Sequence, residues 1–337
     1  RSKPTRNCLR TLEYMTKVTP SVTPSVTIND VQAAARRIEG RIRRTPLLPA
    51  TLAHMPLPGN PNLNLKLECL QVSGSFKARG AMSKLTILDE AAKARGLITA
   101  SGGNHGLGVA YAGHSAGVPV TIYLPGNTPP SKAENLRRWG AEVHMHGDVW
   151  DDANKEALKV AERDGKTYIH PFADAEVIAG QGTVSLEVLA DAPDTDVLLV
   201  SIGGGGLIAG AAMAAKALKP EITVIGIEPV GAPTLHNSVA AGELVELASV
   251  DTKANTLAPR RSEDINLGLI QDNVDQIVLV TDAQMQEAAR WLWREFGLGV
   301  ELSAAAAIAA LQAGVYVPAP GAVCTALICG TGSDGAS

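Results

Sequence analysis

The sequence predicts an α/β protein built from two doubly wound, mostly parallel sheets. Three observations carry that expectation. Strand-length apolar runs alternate with helix-length segments along most of the chain, and parallel strands need such crossovers. DVLLVSI at 196–202 is apolar throughout, as a strand covered on both faces is. Glycine-rich turns follow two of the strands, SGGNHG at 101–106 and GGGG at 203–206, where doubly wound sheets bind ligands.

The elements follow in order. Residues 1–26 are basic, lack the apolar core of a signal peptide and read as a disordered extension. INDVQAAARRIEGRI is an amphipathic helix with Asn29 or Asp30 near its cap. Residues 43–61 form a connector, because Pro46, Pro49, Pro56, Pro58 and Pro61 bar a long helix. LNLKLE at 63–68 alternates as a half-buried strand does, and SGSFKARGA at 73–81 turns it into a helix. Strands at 97–100, 120–125, 142–147 and 168–170 then alternate with helices, the last of these helices opening on a DD cap at 151–152. A helix containing GTVSLEVLA, strands at 196–202 and 222–228 and an irregular stretch at 231–269 come next. DQIVLVT, the helix AQMQEAARWLWREFG, an alanine-rich helix and the strand AVCTALICG close the chain. Residues 97–170 are expected to form a smaller domain inserted into a larger one made of 27–96 and 171–337.

Composition narrows the function classes. The chain has 337 residues, 45% hydrophobic and 19% charged, which describes a globular protein. A net charge of -4 gives no reason to expect a nucleic-acid partner. No apolar run reaches the length of a membrane span. Cys8, Cys69, Cys324 and Cys329 are scattered without CxxC spacing, as free thiols of a reducing cytoplasm are.

Lys77 is the residue around which the chemistry is organised. It falls in the first turn of a helix, after a turn made by Ser73, Gly74 and Ser75, which also offer a serine N-cap. The positive end of the helix macrodipole repels an ammonium there, which predicts a lowered pKa and a nucleophilic or basic amine. Gly203, Gly204, Gly205 and Gly206 lie between a buried strand and a small-residue helix. Glycines there let several N–H groups close on one anion, a phosphate cradle. The phosphate of a dinucleotide is one candidate: Gly204, Gly206 and Ala209 fit G-x-G-x-x-A, and Glu228 ends the next strand where a ribose-binding acid is expected. SGGNHG groups Ser101, the backbone of Gly102 and Gly103, Asn104 and His105 as a donor set for a carboxylate and a phenolic oxygen.

Together these parts resemble the fold-type II pyridoxal-phosphate enzymes, which have a tryptophan-synthase-β-like architecture, and within them the serine/threonine dehydratase and serine racemase group. The motifs are SGSFKARGA, SGGNHG, HPFADAEVIAGQGT at 170–183, GGGG, GIEP at 226–229 and LICGTG at 327–332, in the order of that group. The resemblance implies that Lys77 holds pyridoxal 5'-phosphate covalently, with Phe76 lining that turn. It implies that Gly203, Gly204, Gly205, Gly206 and Leu207 cradle the phosphate, that Asn104 bonds the ring's 3-hydroxyl and that Cys329 faces the pyridine nitrogen. Ser101, Gly102, Gly103, Asn104 and His105 would hold the carboxylate of an amino-acid substrate. A homodimer is expected.

The implied reaction is α,β-elimination from a 3-hydroxy amino acid (threonine, serine or a bulkier β-substituted serine such as phenylserine) to a 2-oxo acid and ammonia. Racemases of the group carry a serine where this chain has Gly102, so racemisation is expected to be weak. The acid expected six residues after Glu228 is replaced by Thr234, so no tightly held metal is expected. GTG at 330–332 stands where Gly-Gly-Asn is usual, which leaves the contacts around the pyridine nitrogen open. No regulatory domain is expected after residue 337, which implies an unregulated or catabolic role. A nucleotide-dependent oxidoreductase and a non-catalytic binder stay open as alternatives. Glu301 is a candidate for a place behind the cofactor ring. His144, His146 and His170 are weighed as metal ligands, Arg260 and Arg261 as substrate contacts and Trp291 with Trp293 as a packed face; solvated or structural roles are expected for all of them.

Overall fold

The structure, a computed structural model, describes residues 26–336. The expected extension at 1–26 lies outside the described residues apart from Val26, which is buried.

Among the described residues, ten strands form two sheets. The larger has six: β1 (Leu47–Pro49), β2 (Asn62–Lys66), β7 (Val197–Ser201), β8 (Thr223–Pro229), β9 (Gln276–Val280) and β10 (Val323–Leu327), in the order β1-β2-β10-β7-β8-β9. Only β1 runs antiparallel to its neighbour. The smaller sheet has four parallel strands, β3 (Leu97–Ala100), β4 (Val120–Leu124), β5 (Glu142–Met145) and β6 (Thr167–Tyr168), in the order β5-β4-β3-β6. The uninterrupted apolar runs are explained: every residue of β3 and β7 is buried, because helices cover both faces.

β1 corrects the expected connector. Prolines exclude a helix there, yet an edge strand tolerates a missing N–H, and β1 pairs only with β2. The stretch 231–269 is also more regular than expected, with helices Thr234–Ala241 and Asp264–Asn273. Helix Trp150–Asp164 is not capped by its acidic pair; it starts earlier, and Asp151 and Asp152 lie in its first turn, where they face the positive end of the dipole. The first helix, Ile28–Ile38, is capped by Thr27, with Asp30 closing a capping box from the third position.

Helix Leu302–Gln312 shows why the alanine-rich segment is needed. It runs buried from Leu302 to Leu311 and packs across β7, β8, β9 and β10, where only small side chains allow close approach on all sides. Among the described residues, no helix is long and apolar enough to cross a membrane.

Candidate active site

Helix Lys77–Thr86 begins at Lys77, as the sequence predicts, but its N-cap is Phe76, which makes no side-chain cap bond. The expected serine cap does not form: Ser73 is held at φ 61° in the tight turn, and the hydroxyls of Ser73 and Ser75 are buried without a protein partner. The turn is fixed from outside instead. The chain beyond β10 lies against it, with Phe76 N–H donating to the Cys329 carbonyl (3.2 Å) and Thr331 N–H to the Gly74 carbonyl (2.8 Å). Cys329 is thereby delivered to the Lys77 turn across 252 positions of sequence.

The Lys77 amine donates to the Pro171 carbonyl at 2.6 Å. Its pKa is lowered to about 8, chiefly because burial disfavours the ammonium. The direction is the predicted one, and its leading cause is desolvation.

Pro171 belongs to the turn 170–174, which joins the amine to the glycine loop. His170 Nδ1 accepts from the N–H groups of Phe172 (3.2 Å) and Ala173 (2.7 Å) and so shapes this turn. Burial, then the neighbouring Lys77, lowers the His170 pKa to about 4, so the ring is neutral at physiological pH. The Phe172 ring lies on Gly204, where an added Cβ would come within 2.2 Å of it, and a Cβ on Gly206 would meet the Phe172 carbonyl at 2.4 Å. These glycines are required by close approach. Gly205 has φ +95° and opens helix Gly206–Leu218. None of the N–H groups of residues 203–207 has a protein acceptor among the described residues. Five free donors at a helix start fit a phosphate.

SGGNHG is partly helical: helix Asn104–Ala116 starts inside it. A Cβ on Gly106 would lie 2.0 Å from the Ser101 carbonyl and one on Gly108 2.9 Å from the Lys77 carbonyl carbon, so this helix packs directly on the lysine turn. Asn104 Nδ2 donates to Glu301 Oε1 at 2.8 Å, which places Glu301 at the site. Burial raises the Glu301 pKa, against the bonds from Ser303 and Asn104. The Ser101 hydroxyl accepts from Gly103 N–H (3.3 Å). A Cβ on Gly102 would crowd Leu124 Cδ2 at 3.3 Å and Thr128 Cγ2 at 3.4 Å, whereas Gly103 faces open space.

One predicted donor is corrected. The His105 ring turns inward, its Nε2 2.9 Å from the Ile169 carbonyl and 3.1 Å from Thr99 Oγ1. Only its backbone is left for a substrate. Burial, then Lys77, lowers its pKa to about 3.

The dinucleotide alternative loses its ribose ligand. Both Glu228 oxygens are taken, Oε1 by Leu235 N–H (2.9 Å) and Oε2 by His236 N–H (2.7 Å), so the carboxylate serves as the cap that helix Thr234–Ala241 lacks. Thr234 points away, donating to the Pro259 carbonyl at 2.7 Å. Burial raises the Glu228 pKa from 4.5 to about 7. A raised carboxyl pKa means that the folded protein holds the proton more tightly, so this group's contribution to stability falls as pH rises from 4.5 to 7 and is constant above. The unfolding free energy of wild type minus that of Glu228→Gln, measured by urea titration across that range, should rise as pH falls from 7 to 4.5; a difference that does not change with pH overturns the assignment.

The remaining candidates are dispersed. His144 and His146 lie beside Glu142 and Glu156 on β5 and just after it, remote in the fold from the His170 turn. Trp291 is packed, donating to the Met55 carbonyl, and Trp293 is exposed. Among the described residues, no group of three or more His, Cys, Asp or Glu side chains can hold a metal. The sequence reading missed the Pro171 carbonyl, the His170 brace and two residues behind the glycine loop, Ser262 and Asn266. HPFADAEVIAGQGT carried a signal for the first two. Nothing marked the last pair, whose partner lies about 60 positions earlier.

Fold and site thus define an α/β cofactor enzyme in which a desolvated lysine amine and an anion cradle meet across one turn. Residues 38–330 match the description "pyridoxal-phosphate dependent enzyme", and the chain belongs to that family. It is 36% identical over 286 residues to L-threonine ammonia-lyase of Thermotoga maritima, covering 85% of this chain and 71% of that one. It is 36% identical over 316 residues to phenylserine dehydratase of Ralstonia pickettii, covering 93% and 96%. The solved structure of maize serine racemase superposes with a TM-score of 0.85 at 32% identity, covering 91% of this chain and 94% of that chain. The fold is that of the fold-type II enzymes, and the cofactor of the family is pyridoxal phosphate.

Proposed function

We propose that this enzyme is a dehydratase that converts a 3-hydroxy amino acid to the 2-oxo acid and ammonia, with threonine, serine and phenylserine as the substrates to test. The observation that carries the reading is one lowered-pKa amine, Lys77, braced against Pro171, on a turn packed against the helix that opens in SGGNHG, a loop whose residue 102 has no side chain. Elimination needs one base at the α-carbon. Racemisation needs an acid/base on each face, and Gly102 offers none.

In this reading Lys77 holds pyridoxal phosphate covalently beside Phe76, and the N–H groups of Gly203, Gly204, Gly205, Gly206 and Leu207 hold its phosphate. Asn104, with Glu301 behind it, would meet the ring's oxygen, and the Cys329 thiol the ring nitrogen. When bound, the cofactor supplies an electron sink that acidifies the α-carbon of an amino acid joined to it. Lys77 Nζ removes the α-proton as a neutral amine, which its lowered pKa favours at neutral to mildly alkaline pH. Burial raises the Cys329 thiol pKa far above its usual range, so Cys329 stays protonated and brings no negative charge to the ring nitrogen. Ser101, Gly102, Gly103, Asn104 and the His105 backbone orient the substrate carboxylate. The β-hydroxyl leaves as water, hydrolysis returns that water, and ammonia is the net loss.

The units follow the same reading: residues 97–170 form the inserted smaller domain with the substrate loop, and residues 27–96 and 171–337 form the larger one. Cys69, Cys324 and Cys329 are buried and unpaired, which supports a cytoplasmic enzyme. A homodimer is the expected assembly, to be read by sedimentation.

Ammonia and 2-oxo acid release from L- and D-threonine, serine and phenylserine, with chiral analysis of the unreacted amino acid, tests the function. Release with retention of configuration in the remainder is the expected result. Inversion faster than release would establish the racemase instead.

A further inference from the structure

We propose that Ser262 and Asn266 are positioning residues for the cofactor phosphate: by holding the Gly204 carbonyl from behind, they aim the Gly205 N–H into the cradle. The inference rests on the pyridoxal-phosphate reading of the site and adds two residues to it.

Ser262 Oγ donates to the Gly204 carbonyl at 2.8 Å and Asn266 Nδ2 to the same oxygen at 2.9 Å. Both side chains are fully buried. No cis peptide bond occurs among the described residues, so the C=O and N–H of the Gly204–Gly205 peptide point in opposite directions. Two donors on the carbonyl side therefore fix the N–H on the other side. The need for a clamp follows from the sequence itself. A peptide plane between two glycines turns over at little steric cost, and turned over it would present a carbonyl to an anion. Two side-chain donors fill both lone pairs of that carbonyl and oppose the turn.

The orientation of Asn266 is set by the same logic. Turned about, its amide would oppose Oδ1 to the Gly204 oxygen. Oδ1 has no protein partner, so the amide's only hydrogen bond is the one spent on the loop. The support is firm: Asn266 sits on helix Asp264–Asn273, which packs against helix Gly206–Leu218, and a Cβ on Gly205 would lie only 3.2 Å from the Asn266 Cβ.

The experiment compares two aldehydes on the full chain, stripped and reloaded: pyridoxal phosphate, and pyridoxal, which lacks the phosphate. Binding is followed by the visible absorbance that depends on Lys77, in wild type, Ser262→Ala, Ser262→Thr, Asn266→Ala and the double alanine variant. The expected result is an increase in the pyridoxal phosphate Kd of about tenfold for each single alanine change and about a hundredfold for both. The Kd for pyridoxal should stay within about twofold, and Ser262→Thr, which keeps the hydroxyl, should bind as wild type does. Equal losses for both aldehydes would reduce the pair to general scaffolding and overturn the proposal; so would no loss for either. A wild-type protein that loads neither aldehyde overturns the cofactor reading itself. Melting temperatures of the stripped proteins control for folding, and if Asn266→Ala does not fold, the Ser262→Ala and Ser262→Thr comparison decides.

Discussion

Replacing Lys77 with alanine should abolish two signals together, the visible absorbance of the loaded protein and the release of ammonia from a 3-hydroxy amino acid. The amine is asked both to carry the cofactor and to take the α-proton. Loss of a positioned base alone costs on the order of 10² to 10⁴ in rate, so turnover should fall by at least about a thousandfold. Lys77→Arg sharpens the test, because it keeps a positive charge but cannot present a neutral nitrogen in the accessible pH range. It should be as inactive as the alanine variant. The pH dependence of loading follows from the lowered pKa of about 8. Below that value the reactive neutral amine is a minority that grows about tenfold per pH unit, and above it nearly all of the amine is neutral. The rate at which stripped protein takes up pyridoxal phosphate should therefore rise to about pH 8 and then level; an ordinary lysine would keep rising past pH 10. Undiminished turnover by Lys77→Ala would end the assignment.

The largest effect on stability is expected at Arg79, two residues beyond the amine on the same helix. All five guanidinium hydrogen bonds are made in the interior. Nε and Nη2 fork onto Glu68 at 2.7 Å each, Nη1 and Nη2 reach Glu187 at 2.7 and 2.9 Å, and Nη1 also meets Thr183 Oγ1 at 3.1 Å. Lys66, equally buried, donates to Glu187 at 2.6 Å and to the Thr45 carbonyl at 2.7 Å. Two cations and two carboxylates thus neutralise one another, with only Glu187 partly exposed to water. They tie β2, the lysine helix and helix Ala175–Asp191 together. Arg79→Ala would leave Glu68 with no charged partner and Glu187 with Lys66 alone, at a cost of about 3–5 kcal/mol in unfolding free energy. Arg79→Lys should fall between, since a point charge cannot reproduce the fork. Urea unfolding of the loaded enzymes measures both; a loss below about 1 kcal/mol for Arg79→Ala would show that water or rearrangement satisfies the carboxylates.

Much of the site is legible because its chemistry is local. Lys77 is placed at a helix start by the turn residues around it, and four consecutive glycines between a buried strand and a small-residue helix have little to do other than bind an anion. Cys329 is a candidate that motif order, rather than its own surroundings, singles out, and Asn104 is one that the SGGNHG donor set and motif order point to together. What could not be read is what lies across the fold. The serine cap expected at Lys77 does not form, because the chain beyond β10 already braces that turn. His105 is polar and next to the substrate loop, yet its ring satisfies a carbonyl in the core. Glu228 sits where a ribose ligand would, and only the three-dimensional arrangement shows that both its oxygens cap a helix.

Strand and helix periodicity, the glycine turns and the lysine motif determined by themselves the two-sheet α/β class and singled out the parts of the candidate site, because those signals are written in neighbouring residues. The tertiary structure decided which groups are desolvated and which are already partnered: Lys77 on Pro171, Asn104 on Glu301, and Ser262 and Asn266 on Gly204. Desolvation and hydrogen-bond saturation depend on atoms that are distant in sequence and become neighbours only when the chain has packed.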